Sequence, residues 1–452
     1  MLPALSAGPG EGVRVEPGSL GDLLKNDHRG EGNSVARVWT GHQAEFWHPG
    51  IMAKYLAAGA LAGRVRAGGG RAEVTWLVVD QDANEAWRVP YPAVVEGKLS
   101  RGVWGVPFAG GVTASQGTFS AETPACALPV MEPGEPPKGA VASVTEGLRQ
   151  IGRVLEKHKG AGNAARQVTE AMCELLEPWC RPDRVVYASE LWRKDAFARV
   201  LEEVRRDPVG CVGAYNRAVA GVPRAHVRPL RVEGARVELP LWRMPGGVGR
   251  ARRAVWSDEL AGLKAEELSA RALLMTAVVR SALCDVFIHG TGGGVYDQIT
   301  ERWFAEWIPG VRLAPTAVVT ATRRLPFDVR VRTPEEIARA RWRAHAAKHS
   351  PGVLGDEAGE ARRRVLVENV RTARARGVSV RGEFEALHRF LAEQRARHAE
   401  RVRELEHGAV EAARDVGVAG VVHERAWPFP LYPRDVLDGL KAEVERVVGG
   451  VL

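Results

Sequence analysis

Residues 35–82 read VARVWTGHQAEFWHPGIMAKYLAAGALAGRVRAGGGRAEVTWLVVDQD, and their pattern decides the fold. Ala36–Trp39 has the spacing of a short strand running into Thr40-Gly41-His42-Gln43. Ile51–Ala62 follows as a helix, with Pro49 in its first turn, where a missing N–H costs nothing. The Gly-rich stretch Gly63–Gly70 ends it. Glu73–Val79 is Val-rich, contains a Trp and stops at Asp80-Gln81-Asp82, as a parallel strand buried on both faces should. Strand, helix and strand within so few residues predict a βαβ unit.

The same alternation continues outward. Residues 90–140, rich in Pro and Gly, read as an insert of loops and short antiparallel pieces. Helices are expected at Val141–Lys159, Ala164–Leu176, Leu191–Arg206 and Val212–Ala220, and strands at Arg184–Ala188 and Arg236–Trp242. Ser269–Leu283 reads as a helix and Asp285–Ile288 as a buried strand. His289-Gly290-Thr291-Gly292-Gly293-Gly294 then leads into a helix over Val295–Trp307. The fold class expected is α/β: a mostly parallel sheet core with inserted segments and a C-terminal helical hairpin or coiled coil. Four regions follow: a mobile N-terminal segment over 1–34 with one short helix near Leu20–Leu24, a core with inserts over 35–330, the helical hairpin over 331–420, and a C-terminal segment over 421–452 docking on the core. The hairpin rests on Pro334–Lys348, Asp356–Arg376 and Glu383–Val416. Phe384, Leu387, Leu391, Val402 and Leu405 form its seam, which Gln394 and His398 weaken. Its Arg/Glu faces read as solvated, and its apolar stripe makes self-association into a homodimer an expectation.

With 452 residues, 45% of them hydrophobic and 26% charged, the chain is long enough for two to three packed domains. Arg280 and Asp285 interrupt the longest apolar run, so no membrane span is expected. No basic-then-apolar leader opens the sequence, and five Cys without a CxxC pair fit reduced thiols, so a cytoplasmic protein is expected. The net charge of +8 comes without a zinc finger, RNA-binding signature or helix-turn-helix pattern, so nucleic acid is not an expected partner.

Three stretches carry candidate chemistry. The first is Gly41-His42-Gln43 with His48, Gly50, Lys54 and Tyr55, where a strand meets a helix N-terminus that favours anions. Its alternative is a tight turn with capping imidazoles. The second is Asp80, Asp82 and Glu85 at a strand's carboxyl end, able to hold an ammonium, a ribose hydroxyl or Mg²⁺, or to act as base; the alternative is turn chemistry. The third is His289, Gly290, Thr291, Gly292 and Gly293 with Tyr296 and Asp297, a nucleotide- or anion-binding turn or else a turn packed on the sheet. It matches neither the dinucleotide fingerprint nor a P-loop. No His/Cys cluster has metal-ligand spacing. Trp76 stands at a core-like position.

Together these segments resemble the bacillithiol-synthesis cysteine-adding enzymes, a family of cysteine ligases. Thr40-Gly41-His42-Gln43 and His48-Pro49-Gly50, then Met52-Ala53-Lys54-Tyr55, stand where that family carries Thr-Gly-Gln-Gln and a Gly-Pro helix start. Trp76-Leu77-Val78-Val79 before Asp80-Gln81-Asp82 is similar to its Trp-containing strand ending in Glu-Asp-His-Asp, which brings Trp76 into the substrate-binding set. Gly97-Lys98-Leu99 matches its Gly-Lys-Leu. Leu268-Ser269 leading to Gly290–Gly293 and Val295-Tyr296 is similar to its Leu-Ser-Pro and Gly-Gly-Pro segments. The resemblance implies a Rossmann-like core, an adenine nucleotide site, a dimerising coiled coil, and joining of cysteine to the carboxylate of a sugar–acid conjugate. The residues read as catalytic are Asp80 and Asp82, to hold an ammonium or serve as base, and His42 and His48, to bind an anionic or carboxylate partner. The cluster His is missing, His42 replaces a Gln, and Leu274-Met275 stands in place of Leu-Arg. A divergent ligase with another amine or acid substrate fits equally. The alternatives are a nucleotidylyltransferase or nucleotide-binding protein of the same fold, and a non-catalytic coiled-coil scaffold.

Overall fold

A computed structural model describes residues 11–16, 35–82, 86–105, 120–125, 139–244, 246, 252–327 and 332–451. In chain order the strands are β1 (Gly12–Glu16), β2 (Val35–Gln43), β3 (Arg71–Val79), β4 (Val89–Val95), β5 (Lys98–Trp104), β6 (Arg184–Tyr187), β7 (Val232–Glu233), β8 (Arg236–Arg243), β9 (Arg253–Trp256), β10 (Leu268–Ala270), β11 (Val286–His289) and β12 (Thr316–Thr322). The helices are α1 (Pro49–Ala67), α2 (Thr145–Lys157), α3 (Ala164–Leu176), α4 (Asp195–Arg206), α5 (Pro208–Ala220), α6 (Ala272–Ala282), α7 (Thr291–Trp307), α8 (Pro334–Ala346), α9 (Glu357–Ala375), α10 (Arg381–Arg397), α11 (Ala399–Val422) and α12 (Arg434–Val451). Two units form. One holds residues 1–93, 101–325 and 425–452, the other Val94–Ser100 and Pro326–Glu424.

The first unit is built on a six-stranded sheet in the order β1-β12-β11-β2-β3-β6. Its four pairings from β12 to β6 are parallel, and β1 closes the β12 edge antiparallel. Counted along the chain, the parallel strands run 5-4-1-2-3, the doubly wound order. The Val-rich runs dictate this placement. Val74–Val79 of β3 and Val286–Ile288 of β11 are buried at every position, as strands covered on both faces must be. Helix α1 is apolar nearly all round because it lies between the sheet and α12. The other face carries α4 to α7 around Trp303, which is fully buried and donates from its indole to the Cys211 carbonyl (3.0 Å). A small antiparallel sheet, β10-β8-β7 with β9 on β8, joins that cluster.

The structure corrects several boundaries. Part of the segment expected to be mobile forms β1, because its backbone satisfies the open edge of β12 and Glu443 accepts from the Val13 amide (2.9 Å). The helix expected near Leu20–Leu24 lies outside the described residues. Residues 268–270 pair with β8 rather than starting α6. Helix α7 begins at Thr291, so three glycines belong to its first turns.

Among the described residues the second unit contains four helices where the sequence suggested three, because the stretch Glu383–Val416 divides in two. Ile337 of α8 packs with Ala412 and Ala419 of α11, and Lys348 pairs with Glu406 (2.8 Å), so α8 and α11 run antiparallel. Helices α9 and α10 pack through the turn at Gly377, whose φ of +68° suits the left-handed cap. The chain breaks between α10 and α11 at His398. Gln394 is buried in the seam, while Phe384 is exposed.

Replacing Trp303 with Ala should lower unfolding stability by about 3–5 kcal/mol, since it removes the largest side chain of this core. A denaturant midpoint equal to that of the unmodified chain would contradict the packing described.

Candidate functional site

Between β2 and β11 the winding of the sheet reverses. Chain leaving β2 crosses to β3 on one side, and chain leaving β11 crosses to β12 on the other. Doubly wound sheets open their ligand crevice at this point, beyond the carboxyl ends of the strands. The Ile288↔Thr40 register sets His289 beside Gly41, and the Gln43↔Val79 register sets Asp80 just past the end of β2. Topology thus brings the three candidate stretches to one rim. The N-termini of α1 and α7 both open onto it; α7 leaves its first amides without a partner in its own helix, whereas α1 opens with Pro49 and its Gly50, Ile51 and Met52 amides bond to His48.

At the first stretch, His48 is the N-cap of α1, accepting from the Gly50 amide (3.0 Å), and Pro49 follows it. Gly41 and Gly50 are packing glycines: an added Cβ would lie 2.7 Å from the Leu77 carbonyl at one and 2.6 Å from the Ala321 carbonyl at the other. His42 accepts at Nδ1 from the Gln43 amide (2.7 Å), and burial, then Lys54, holds its imidazole well below the ordinary range. The Lys54 ammonium donates to the Gly41 carbonyl, and burial pushes it down to about 7 against the opposing pull of Glu45. Burial likewise raises the Glu45 carboxyl. Tyr55 and Trp76 are each 1% exposed; Tyr55 stacks on Trp47 (ring centroids 4.0 Å), and Trp76 meets both rings edge-on (4.8 Å to Tyr55, 5.7 Å to Trp47). They form the floor of the core beneath the rim.

At the second stretch the two acids divide. Asp80 is 1% exposed, and both its oxygens accept from Ser189, one from the amide (2.9 Å) and one from the hydroxyl (2.6 Å). Burial raises its carboxyl to about 6. It ties β3 to the turn after β6. Asp82 is half-buried: Gln43 Nε2 donates to it (3.3 Å), and so does Arg252 Nη1 (2.8 Å), which also reaches the Gln81 carbonyl (2.8 Å). The Arg252 guanidinium lies over Trp242 (4.4 Å), as does that of Arg271 (3.9 Å). Gln81 is an anchor, donating to the Ala270 carbonyl (2.5 Å). Glu85 lies outside the described residues.

At the third stretch the glycines separate by role. A Cβ on Gly293 would lie 2.2 Å from His289 Nδ1, and one on Gly294 would lie 2.4 Å from Val318. Gly290 and Gly292 meet nothing within 4 Å. Of the four glycines, these two have open space above the α-carbon. Thr291 and Tyr296 are exposed, while Asp297 is buried beneath.

Ser189, Arg252 and Arg280 escape sequence reading as site residues. Ser189 and Arg252 are ordinary loop residues until the fold brings them to Asp80 and Asp82. Arg280 carries a signal, a charge inside the apolar run of α6. Among the described residues no group of three or more His, Cys, Asp or Glu is arranged to hold a metal, and no helix is long and apolar enough to cross a membrane.

No protein-family model matches the chain, and no curated protein sequence does. Among solved structures it is similar to that of a "putative arginyl t-RNA synthetase" from Campylobacter jejuni, at 11% identity over 96% of each chain with a TM-score of 0.27. A likeness of that size carries no argument about fold or activity.

Two outcomes follow from the geometry. Folded Lys54 loses its proton near 7 and unfolded Lys54 near 10.5, so the unfolded chain binds the extra proton between those values and stability rises with pH across that window. Lys54→Met should flatten that rise and add on the order of 2–4 kcal/mol at pH 6, the penalty removed less one hydrogen bond. Denaturant titrations from pH 6 to 10 measure it, and an unchanged slope would refute the burial of the amine. Gly293→Ala should destabilise by about 1–3 kcal/mol, whereas Gly292→Ala should be nearly neutral. Equal melting temperatures for the two variants would contradict the division of glycine roles.

Proposed function

We propose that the chain is a cytoplasmic enzyme of the ligase class that joins an amine to a carboxylate at the β2/β11 crevice. The observation supporting this is the meeting of two helix N-termini with the His42–Gln43–Asp82 contacts at the ends of adjacent parallel strands. The amides at the start of α7 and the open Gly290 and Gly292 suit a carboxylate or phosphate and would stabilise negative charge developing on it. Asp82, half-buried and held by Gln43 and Arg252, suits the ammonium or amine partner. Asp80 is the group that holds the rim in place.

In this proposal the family likeness narrows the substrates to cysteine or a similar amine and a sugar–acid conjugate in low-molecular-weight thiol synthesis. An adenine nucleotide at α7 is the second reading, favoured by the open glycines at that helix start. Self-association through the helical unit belongs to the same proposal, with Trp342 (61% exposed), Phe384 and Val416 available on its surface.

The test is a thermal-shift screen of the full chain with nucleotides, cysteine and sugar–acid conjugates, since a ligand that binds only the folded state raises its stability. Stabilisation by several degrees with an amine–acid pair, lost in Asp82→Ala and followed by amide product in mass spectrometry, supports the ligase. Stabilisation by nucleotide with pyrophosphate release selects the second reading. Absence of any stabilising compound from all three classes refutes a small-molecule site here.

A further inference from the structure

Beneath the rim, three buried polar atoms stand without an aligned hydrogen-bond partner: Arg280 Nη1, His289 Nε2 and Asp297 Oδ2. They are close to one another all the same. His289 Nε2 lies 2.7 Å from Asp297 Oδ2, and Arg280 Nη1 lies 3.2 Å from Asp297 Oδ1. The side chains of Arg280 and Asp297 are 1% and 4% exposed, and that of His289 is 13%. Buried charge left out of line is costly, and folds retain it where it is used. The surroundings hold this group firmly. Arg280 donates from Nε to the Ala314 carbonyl (2.6 Å) and from Nη2 to Glu301 (2.7 Å). Three elements, α6, β11 and α7, therefore fix the carboxylate of Asp297 between a guanidinium and an imidazole.

We propose that His289 is the proton-transfer residue of the switch crevice, and that Asp297, fixed by Arg280, is the positioning residue that selects its Nε2–H tautomer. A carboxylate facing Nε2 favours the proton on that nitrogen and leaves Nδ1 with a free electron pair. Nδ1 lies against Gly293, where any side chain would collide with it, at the start of α7. Nδ1 would take one proton from a bound amine, the amine's N–H bond breaking as the imidazolium N–H forms, and Asp297 would stabilise that imidazolium. This inference rests on reading the β2/β11 crevice as the ligand site.

The experiment needs no substrate. Full-length protein labelled with ¹⁵N-histidine, with His289 identified through His289→Gln, reports the tautomer directly. Reaction with diethyl pyrocarbonate, followed by peptide mass spectrometry, reports how readily His289 uses its free nitrogen. A single Nε2–H tautomer is expected, together with carbethoxylation of His289 that falls about tenfold or more in Asp297→Asn. An Nδ1–H tautomer in the unmodified protein overturns the proposal even if Asp297→Asn fails to fold. So does a His289 that stays unmodified in the folded protein, or a rate unchanged in folded Asp297→Asn. A failed ligand screen with the tautomer as expected would instead count against the ligase reading, which separates the two.

Discussion

Strand β2 is the constraint on which the rest depends. It pairs over its full nine residues with β3 on one side and through its middle with β11 on the other. A strand buried in this way has no solvent to satisfy its amides, so both neighbours must be present and in register. At its amino end Asp285 supports the arrangement, accepting from the Arg37 amide (2.7 Å) and from its guanidinium (2.7 Å to Nη2). Because the chain leaves β2 and β11 in opposite directions, the same pairing opens the crevice at the other end. Fold and candidate site thus share one cause.

The rim places several ionisable groups where water is excluded. Lys54 is driven toward its neutral form, Asp80 toward its protonated form, and Glu45 follows Asp80. For the two acids stability falls as pH rises through the range between unfolded and folded titration, opposite in sign to Lys54. Such groups cost stability, and their concentration at one end of the sheet is what a functional site looks like physically. The second unit shows none of this concentration among its described residues. Its shifted groups are capping and ion-pair carboxylates such as Asp356 and Glu360, and Arg363 paired with Glu360.

The parallel core was legible in sequence because β3 and β11 carry continuous apolar runs that admit little else. Helix α3 was legible to the residue, since its periodicity is strong and Asn163 caps it. Other features were hidden for physical reasons. Strand β1 has five residues and no buried run; it is ordered by partners more than 300 positions away. Strand β10 continues directly into α6 without a breaker, so its apolar residues joined the helical pattern. In the site, residue identity could not separate Asp80 from Asp82, since only the fold shows that Ser189 occupies one of them. Nor could it separate Gly292 from Gly293, which differ in what lies above their α-carbons.

The bond from the Val13 amide to Glu443 spans 430 positions, and Arg323, beside the end of β12, pairs with the same carboxylate. Segments 430 positions apart therefore meet on one margin of the sheet. During synthesis β1 emerges before its strand partner β12, and α12, which clamps it, emerges later still. Until α12 has docked, the margin formed by β12 lacks its clamp and can recruit a neighbouring nascent chain, so the arrival of that helix closes the side of the sheet to others.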